Sequence, residues 1–363
     1  MVTTRKISVA HVIDRLNVGG AERIAVTLAN IFHDNGHEVL FVTTVSKGPL
    51  AALLKKDISI INLERKWKWN PATMYHLIQA VKRFDIIHVH SRHNLRYFLL
   101  AKALFGLTKQ IFYHEHHGYR VNTKATGLEK KLFPQTIFIA VSEQLKKWAV
   151  EQVGVEQGKA FVLPNIVLKE NVAPVKEEGV IIKLVIVSNF VPVKNIAFAI
   201  NVLEQLLMPD NKQYSLTIIG AKADENYFHE IVQLIKEKQL QQSVFFIHDS
   251  ISIQSSLPQF DLALHTSLSE SGPLVLIEYM AQGLPFITYE TGEVVQQIKQ
   301  EVPELIMQDF DVDEWVKRIA ILLQKGKDVL QLQLQNLFEK YYSANAYYEA
   351  CMHIYNKGLS IES

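Results

Sequence analysis

Short apolar, β-branched runs alternate along most of the chain with longer stretches whose apolar positions recur every three or four residues. Strand and helix periods that alternate in this way predict parallel sheets covered by helices. In the first half the strand-like runs are Ile7–Ile13, Glu38–Val45, Ser59–Leu63, Asp85–His90, Gln110–His114, Thr136–Val141 and Ala160–Leu163. Helical spacing fills Ala21–Asn35, closed by Gly36, and Pro71–Arg83. The polar segment Val167–Gly179 has neither period and predicts a linker. Strands are then expected at Ile181–Val187, Ser215–Ile219, Ser243–Ile247, Asp261–His265 and Pro285–Tyr289, with helices at Asn195–Leu207, Asp224–Lys238, Pro273–Ala281 and Asp313–Gln324. The last stretch, Leu330–Lys357, is helical and rich in tyrosine. The expected fold class is α/β: two Rossmann-like domains facing one cleft, with ligands beyond the carboxyl ends of the strands.

Composition narrows the reading. At 363 residues the chain has room for two cores, and 48% hydrophobic against 21% charged residues fits a globular protein. A formal net charge of +1 gives no reason to expect nucleic acid as a partner. The single cysteine, Cys351, rules out an intramolecular disulfide and fits a reducing compartment. The apolar run Ile7–Ile13 is too short for a signal peptide, and the run near Tyr97–Leu107 is broken by Lys102, so a cytoplasmic protein is expected.

The densest chemistry lies in Ser269–Pro285, where Glu270 and Glu278 flank Gly272-Pro273. Proline favours the first turn of a helix, so Glu270 reads as a loop residue and Glu278 as helical. The helix is otherwise apolar and should be buried, which obliges a carboxylate there to find a partner. The amides of Leu274 and Val275, at the positive end of the helix dipole, make a site for phosphate oxygens. Such a cradle with an acid on either side suits a sugar nucleotide: amides for the diphosphate, acids for ribose and sugar hydroxyls.

Other clusters divide between chemistry and packing. Gly19-Gly20 follows the first strand and opens a helix, a place where backbone can approach an anion. It lacks the dinucleotide fingerprint, and the second strand ends without the acid that grips a nicotinamide ribose. His88, His90 and His114–His117 sit at strand ends, but their spacing is not that of a helical zinc motif; packing or orientation is expected of His88, His90 and His114. Asp309–Asp313 imitates metal-binding runs, yet Glu314 stands where a calcium loop needs glycine, so Asp313 is expected to cap a helix and no metal site is assigned. Arg65–Trp69 alternates basic and aromatic residues, which suits a membrane interface, a stacked sugar or a solvated loop.

Ser269–Pro285 resembles the E-x7-E motif of retaining, family-4 glycosyltransferases with the GT-B fold, and Gly19-Gly20, His116, Lys194, Glu270 and Glu278 stand in that family's order. The resemblance implies that Glu278 holds the donor's ribose and that Glu270, with amides near Ser271, Gly272, Pro273, Leu274 and Val275, holds the sugar. His116 would contact the sugar, Gly19 and Gly20 would lie beside the diphosphate and acceptor, and Lys194 would stabilise the leaving group. Where the family carries a second phosphate-binding cation, an arginine, this chain has Asn189. Lysine is a mobile point charge without arginine's bidentate fork, so leaving-group stabilisation is expected to be weaker or shared. The implied activity is metal-independent, cofactor-free transfer of a hexose from a nucleoside diphosphate sugar to a glycan or lipid-linked acceptor in envelope polysaccharide synthesis, with peripheral membrane contact. Implied domains are residues 1–168 for the acceptor, 180–340 for the donor, and 341–363 as a helix returning to the first domain. A sugar-nucleotide epimerase and a non-catalytic transferase homologue remain alternatives.

Overall fold

The computed structural model of the chain describes residues 6–17, 19–67, 69–116, 123–173, 180–208, 213–248, 253–270 and 272–361. It divides into two compact units, Met1–Ile166 with Ala344–Ser363, and Val167–Ser343. The first opens with β1 (Ser8–Arg15), α1 (Gly20–Asp34), β2 (Glu38–Ser46), β3 (Ser59–Asn62), α2 (Pro71–Val81) and β4 (Ile86–His90). It continues through α3 (Arg92–Leu104), β5 (Ile111–Glu115), α4 (Gly127–Leu132), β6 (Ile137–Ala140), α5 (Glu143–Trp148) and β7 (Ala160–Val162). All ladders are parallel, in the order β3-β2-β1-β4-β5-β6-β7. Every residue of β4, β5 and β6 is buried, as expected of parallel strands covered on both faces.

The second unit holds β8 (Ile181–Val187), α6 (Ile196–Leu207), β9 (Gln213–Ile219), α7 (Glu225–Glu237), β10 (Val244–Ile247) and β11 (Leu262–His265). After these come α8 (Leu274–Gln282), β12 (Phe286–Tyr289), α9 (Glu293–Glu301), β13 (Ile306–Met307), α10 (Val312–Lys325) and α11 (Lys327–Tyr341). Its parallel sheet runs β10-β9-β8-β11-β12-β13. In both sheets the strand order reverses beside the first strand, at β1/β4 and β8/β11, and such switch points open a crevice at the carboxyl ends.

Local chemistry sets several boundaries. Asn70 caps α2, its Oδ1 accepting from the amides of Ala72 (3.0 Å) and Thr73 (3.4 Å), with Pro71 at the first helical position. Gly283 takes the left-handed conformation (φ 68°) that ends α8. The cap of α10 is Asp311, whose carboxylate accepts from Glu314 N at 3.0 Å, rather than Asp313, which already lies inside the helix.

The C-terminal segment is two helices, not one. Tyr342 leaves helical geometry (φ −127°, ψ 1°) while its ring is buried in the second unit's core with Leu330, Leu334 and Phe338 of α11. The chain then begins α12 (Ala344–Ser360), which belongs to the first unit. There Tyr348 Oη lies 2.8 Å from His37 Nε2, and Tyr355 packs edge-on against Phe112 of β5. A Cβ on Gly358 would lie 2.4 Å from the Phe112 ring, so the glycine sets how closely α12 sits on the sheet. Unit 1 is thus completed by residues from the far end of the chain.

Candidate active site

In the second unit, Asn189 and Lys194 lie on the loop after β8, and Glu270 to Val275 on the loop and helix start after β11. These two loops flank that sheet's switch point. They are stitched together by one backbone and one side-chain hydrogen bond: Leu268 N donates to Val193 O (2.8 Å), and Thr266 Oγ1 to Lys194 O (2.9 Å). Lys194 ends a single 3-10 turn, and Asn195 follows in the left-handed region (φ 50°, ψ 44°), a local strain that α6 then absorbs.

Glu270 is the electrostatic centre of this group. Its Oε1 forms an ion pair with Lys194 Nζ, and its backbone N–H donates to Thr291 Oγ1 at 3.0 Å. His265 Nε2 stands 3.5 Å from the same Oε1, a charge–dipole contact too long for a well-formed hydrogen bond. The ring is held by Nδ1, 2.8 Å from Thr288 Oγ1. Burial by itself would raise the Glu270 carboxyl, but His265 and the Lys194 ammonium outweigh it and hold the group down to about 2. Glu270 is therefore an anion throughout the neutral range.

Helix α8 starts at Leu274, with Pro273 as its cap residue, one position earlier in role than its sequence context predicts. Proline has no side-chain acceptor, and no side-chain cap bond is made by it. The helix buries Leu276, Ile277, Tyr279, Met280 and Ala281, and Val187 N donates to the buried Tyr279 hydroxyl at 3.1 Å, fixing α8 to the end of β8. Burial is one-sided, however: Leu274, Val275, Glu278 and Gln282 form a half-buried stripe. Glu278 is therefore less enclosed than its apolar neighbours predict, because a spacing of four residues returns it to the face of Leu274. Gly272 is also half-buried, and Ser271 lies outside the described residues.

Asn189 has a structural duty. Its Oδ1 accepts from Ala221 N at 3.1 Å, beside Gly220, where a Cβ would come within 2.0 Å of Ser188 O. The carboxamide thus closes the junction between the ends of β8 and β9. His265, Thr266, Thr288 and Thr291 support the site without having been singled out in the sequence; the available signal was the polar run His265-Thr266-Ser267 ending an apolar strand.

In the first unit, Gly19 is the N-cap of α1 and Gly20 its first residue. A Cβ on Gly20 would meet no protein atom within 4 Å, whereas one on Gly19 would press on the Glu22 carboxylate at 2.3 Å. His116 follows β5, half-buried, with Nε2 3.1 Å from His90 Nδ1. It ends a row of imidazoles on one face of the sheet. Ladder pairing sets His11 opposite His88 and His90 opposite His114, and the two-residue period keeps His88 with His90 and His114 with His116.

His11, His88, His90 and His114 are fully buried, and His11 Nδ1 lies 3.1 Å from His90 Nε2. Burial, reinforced by the neighbouring imidazoles, holds His88, His90 and His114 well below the usual histidine range, and burial takes His11 down to about 3. All four are neutral at physiological pH. His88 Nδ1 lies 2.7 Å from Tyr355 Oη, but His88 Nε2, His11 Nε2 and both nitrogens of His114 have no hydrogen-bond partner among the described residues. Each such orphan costs about 1–3 kcal/mol. The expected packing role of these histidines is therefore incomplete.

Of the basic–aromatic run, Arg65 turns inward, bonding Asp14 at 3.0 Å and covering the Tyr97 ring at 4.4 Å. Trp67 and Trp69 stay exposed, at 77% and 50%, and Lys68 lies outside the described residues. Among the described residues no helix is long and apolar enough to cross a membrane.

Two family descriptions divide the chain between them: Glycosyltransferase Family 4 matches residues 18–168, and Glycosyl transferases group 1 matches residues 170–337. The Bacillus subtilis (strain 168) protein named EpsF is 24% identical over 374 residues, 96% of each chain. An Escherichia coli UDP-Gal:alpha-D-GlcNAc-diphosphoundecaprenol alpha-1,3-galactosyltransferase is 22% identical over 374 residues, 93% of each chain. Anabaena Alr3699/HepE, solved in complex with UDP and glucose, superposes with a TM-score of 0.76 at 17% identity, over 96% of this chain and 98% of its own. With both halves matched in order and two Rossmann-like sheets beneath them, the chain belongs to the family-4 type of glycosyltransferases and has their GT-B fold.

Proposed function

We propose that this enzyme moves a hexose from a nucleoside diphosphate sugar, held at the β8/β11 switch point, to an acceptor hydroxyl of a glycan or lipid-linked glycan, with retention of configuration. The observation that carries the proposal is the Lys194–Glu270 ion pair on loops that adjoin the start of α8, with the helix's first-turn amides next in sequence and Glu278 a turn inside it. Lys194 would turn from Glu270 to the diphosphate as the donor binds. Glu270 would then accept from sugar hydroxyls, and Glu278 from the ribose.

In the transfer, the bond between the sugar's anomeric carbon and the phosphate oxygen breaks, and a bond to the acceptor oxygen forms on the same face. The acceptor proton passes to the departing phosphate oxygen. Lys194 and the α8 amides are prepositioned for the charge that grows on that oxygen, so the reaction asks for neither a cofactor nor a metal at the diphosphate. Asn189, engaged with Ala221, holds the loop in place of adding a second cation. In the first unit we assign His116 to a sugar hydroxyl, the Gly19-Gly20 backbone to donor and acceptor contacts, and the exposed Trp67 and Trp69 to peripheral membrane contact.

The base is read first by thermal shift with UDP, GDP, ADP and NAD, since a ligand that binds only the folded state raises the melting temperature with concentration. Uridine leads because the Escherichia coli and Anabaena relatives are described with it. Stabilisation by a nucleoside diphosphate that Glu278→Ala abolishes supports the site. No shift with any nucleotide, from folded protein, favours a non-catalytic homologue, and conversion of the donor without acceptor favours an epimerase.

A further inference from the structure

We infer that the buried histidine face of the first unit is a binding site for a zinc-class divalent metal ion, with His11, His88 and His90 as ligands and His114 beside them for the fourth position. One nitrogen from each of His11, His88 and His90 lies within 4.8 Å of the other two, and all three residues are fully buried. The His11 Nδ1 to His90 Nε2 separation is 3.1 Å. Two ligand nitrogens on one tetrahedral zinc, at bonds of about 2.0–2.1 Å, stand about 3.3–3.4 Å apart. The pair is therefore spaced about as two ligands of one ion would be.

The donor set decides the class of metal. It is all imidazole, and the one carboxylate at the end of β5, Glu115, accepts from Tyr113 Oη at 2.6 Å instead. Nitrogen-only sites favour zinc, nickel, copper or cobalt over magnesium and calcium. The surrounding shell is also that of a metal site. Tyr355 Oη, 2.7 Å from His88 Nδ1, engages one nitrogen of that ring and leaves Nε2, which has no hydrogen-bond partner among the described residues, for a ligand bond.

A chain of hydrogen-bonded imidazoles is the competing account. It explains the contacts among His11, His90 and His116, but it leaves His11 Nε2, His88 Nε2 and both nitrogens of His114 unused. A cation that takes one lone pair from each ring accounts for His88 Nε2 and for one nitrogen of His114. The enclosed position assigns the ion a structural part, separate from the diphosphate chemistry of the second unit.

The test uses tag-free, full-length protein, stripped with chelator and offered zinc or cobalt, then passed through gel filtration. One retained equivalent, a higher melting temperature and a nitrogen-only first shell by X-ray absorption are expected. His11→Gln and His88→Gln should each lower metal affinity by roughly tenfold or more, while Gln at the exposed His76 should not. If neither variant folds, the X-ray absorption of the wild type decides. Failure to retain metal, mixed oxygen ligation, or equal retention in all variants overturns the proposal and leaves the imidazole chain. Nucleotide binding is read on separate samples, so the donor site stands or falls independently.

Discussion

Lys194 and Glu270 neutralise each other in the second unit, and that pairing makes two separable predictions. Lys194→Ala removes the cation assigned to the leaving group, and Glu278→Ala the ribose acid. Each should cut turnover by more than about tenfold, in the range seen when one charge-stabilising donor is lost, with the fold intact by circular dichroism; near wild-type rates in both would remove the site assignment. Glu270→Gln probes stability. The Glu270 carboxyl is held down to about 2 in the folded state, against an ordinary value of 4.5. Its ionised form therefore stabilises the fold above the ordinary value, and that contribution is lost as pH falls through the folded value. The stability gap between wild type and Glu270→Gln, measured by urea unfolding, should hold from neutral pH down to the ordinary value of 4.5 and then narrow as pH falls toward about 2; a gap that stays constant across that lower range would show that the shift has another origin.

Glu270 and Glu278 stand out in the sequence by their spacing, and Lys194 and His116 by family resemblance; the roles given to them belong to the proposal. The bond from Ala221 to Asn189 was not legible there, since it depends on how the ends of β8 and β9 meet. Nor were the orphaned histidines, because only strand register reveals that they share one face.

At the scale of elements, strands and long amphipathic helices follow their periodicity closely. The misses have physical causes. Helix α3 begins Arg92-His93-Asn94 and mixes polar residues into its buried side, Asn94 among them, so its period is blurred. Strand β13 is only Ile306–Met307, too short for any alternation to register. The break between α11 and α12 lies where the chain leaves one core for another, and local propensity carries no trace of that. Gly358 gives this level its test. Gly358→Val would drive a side chain into Phe112, and overpacking of this kind costs about 1–3 kcal/mol. A lowered urea midpoint is expected, whereas an unchanged one would mean that α12 does not rest on β5.

At the scale of the whole molecule, parallel sheets were foreseeable from the alternation, while the strand order, and with it the switch points, comes from the structure. Which loops carry chemistry then needed the motif. The exposed Trp67 and Trp69 are the surface feature on which the proposed membrane contact rests. Cosedimentation with anionic liposomes should pull down wild type and leave the Trp67/Trp69 double-alanine variant in solution; if both stay in solution, membrane contact is wrong.

The placement of α12 also has a consequence for synthesis. The strands of the first unit leave the ribosome early, yet Tyr355 and Gly358, which close its histidine face, are added only after the whole second unit. Domains usually fold in the order they are made. Here the first to begin is the last to finish, and a ribosome stalled anywhere before α12 carries an unfinished first unit, however long ago its sheet emerged.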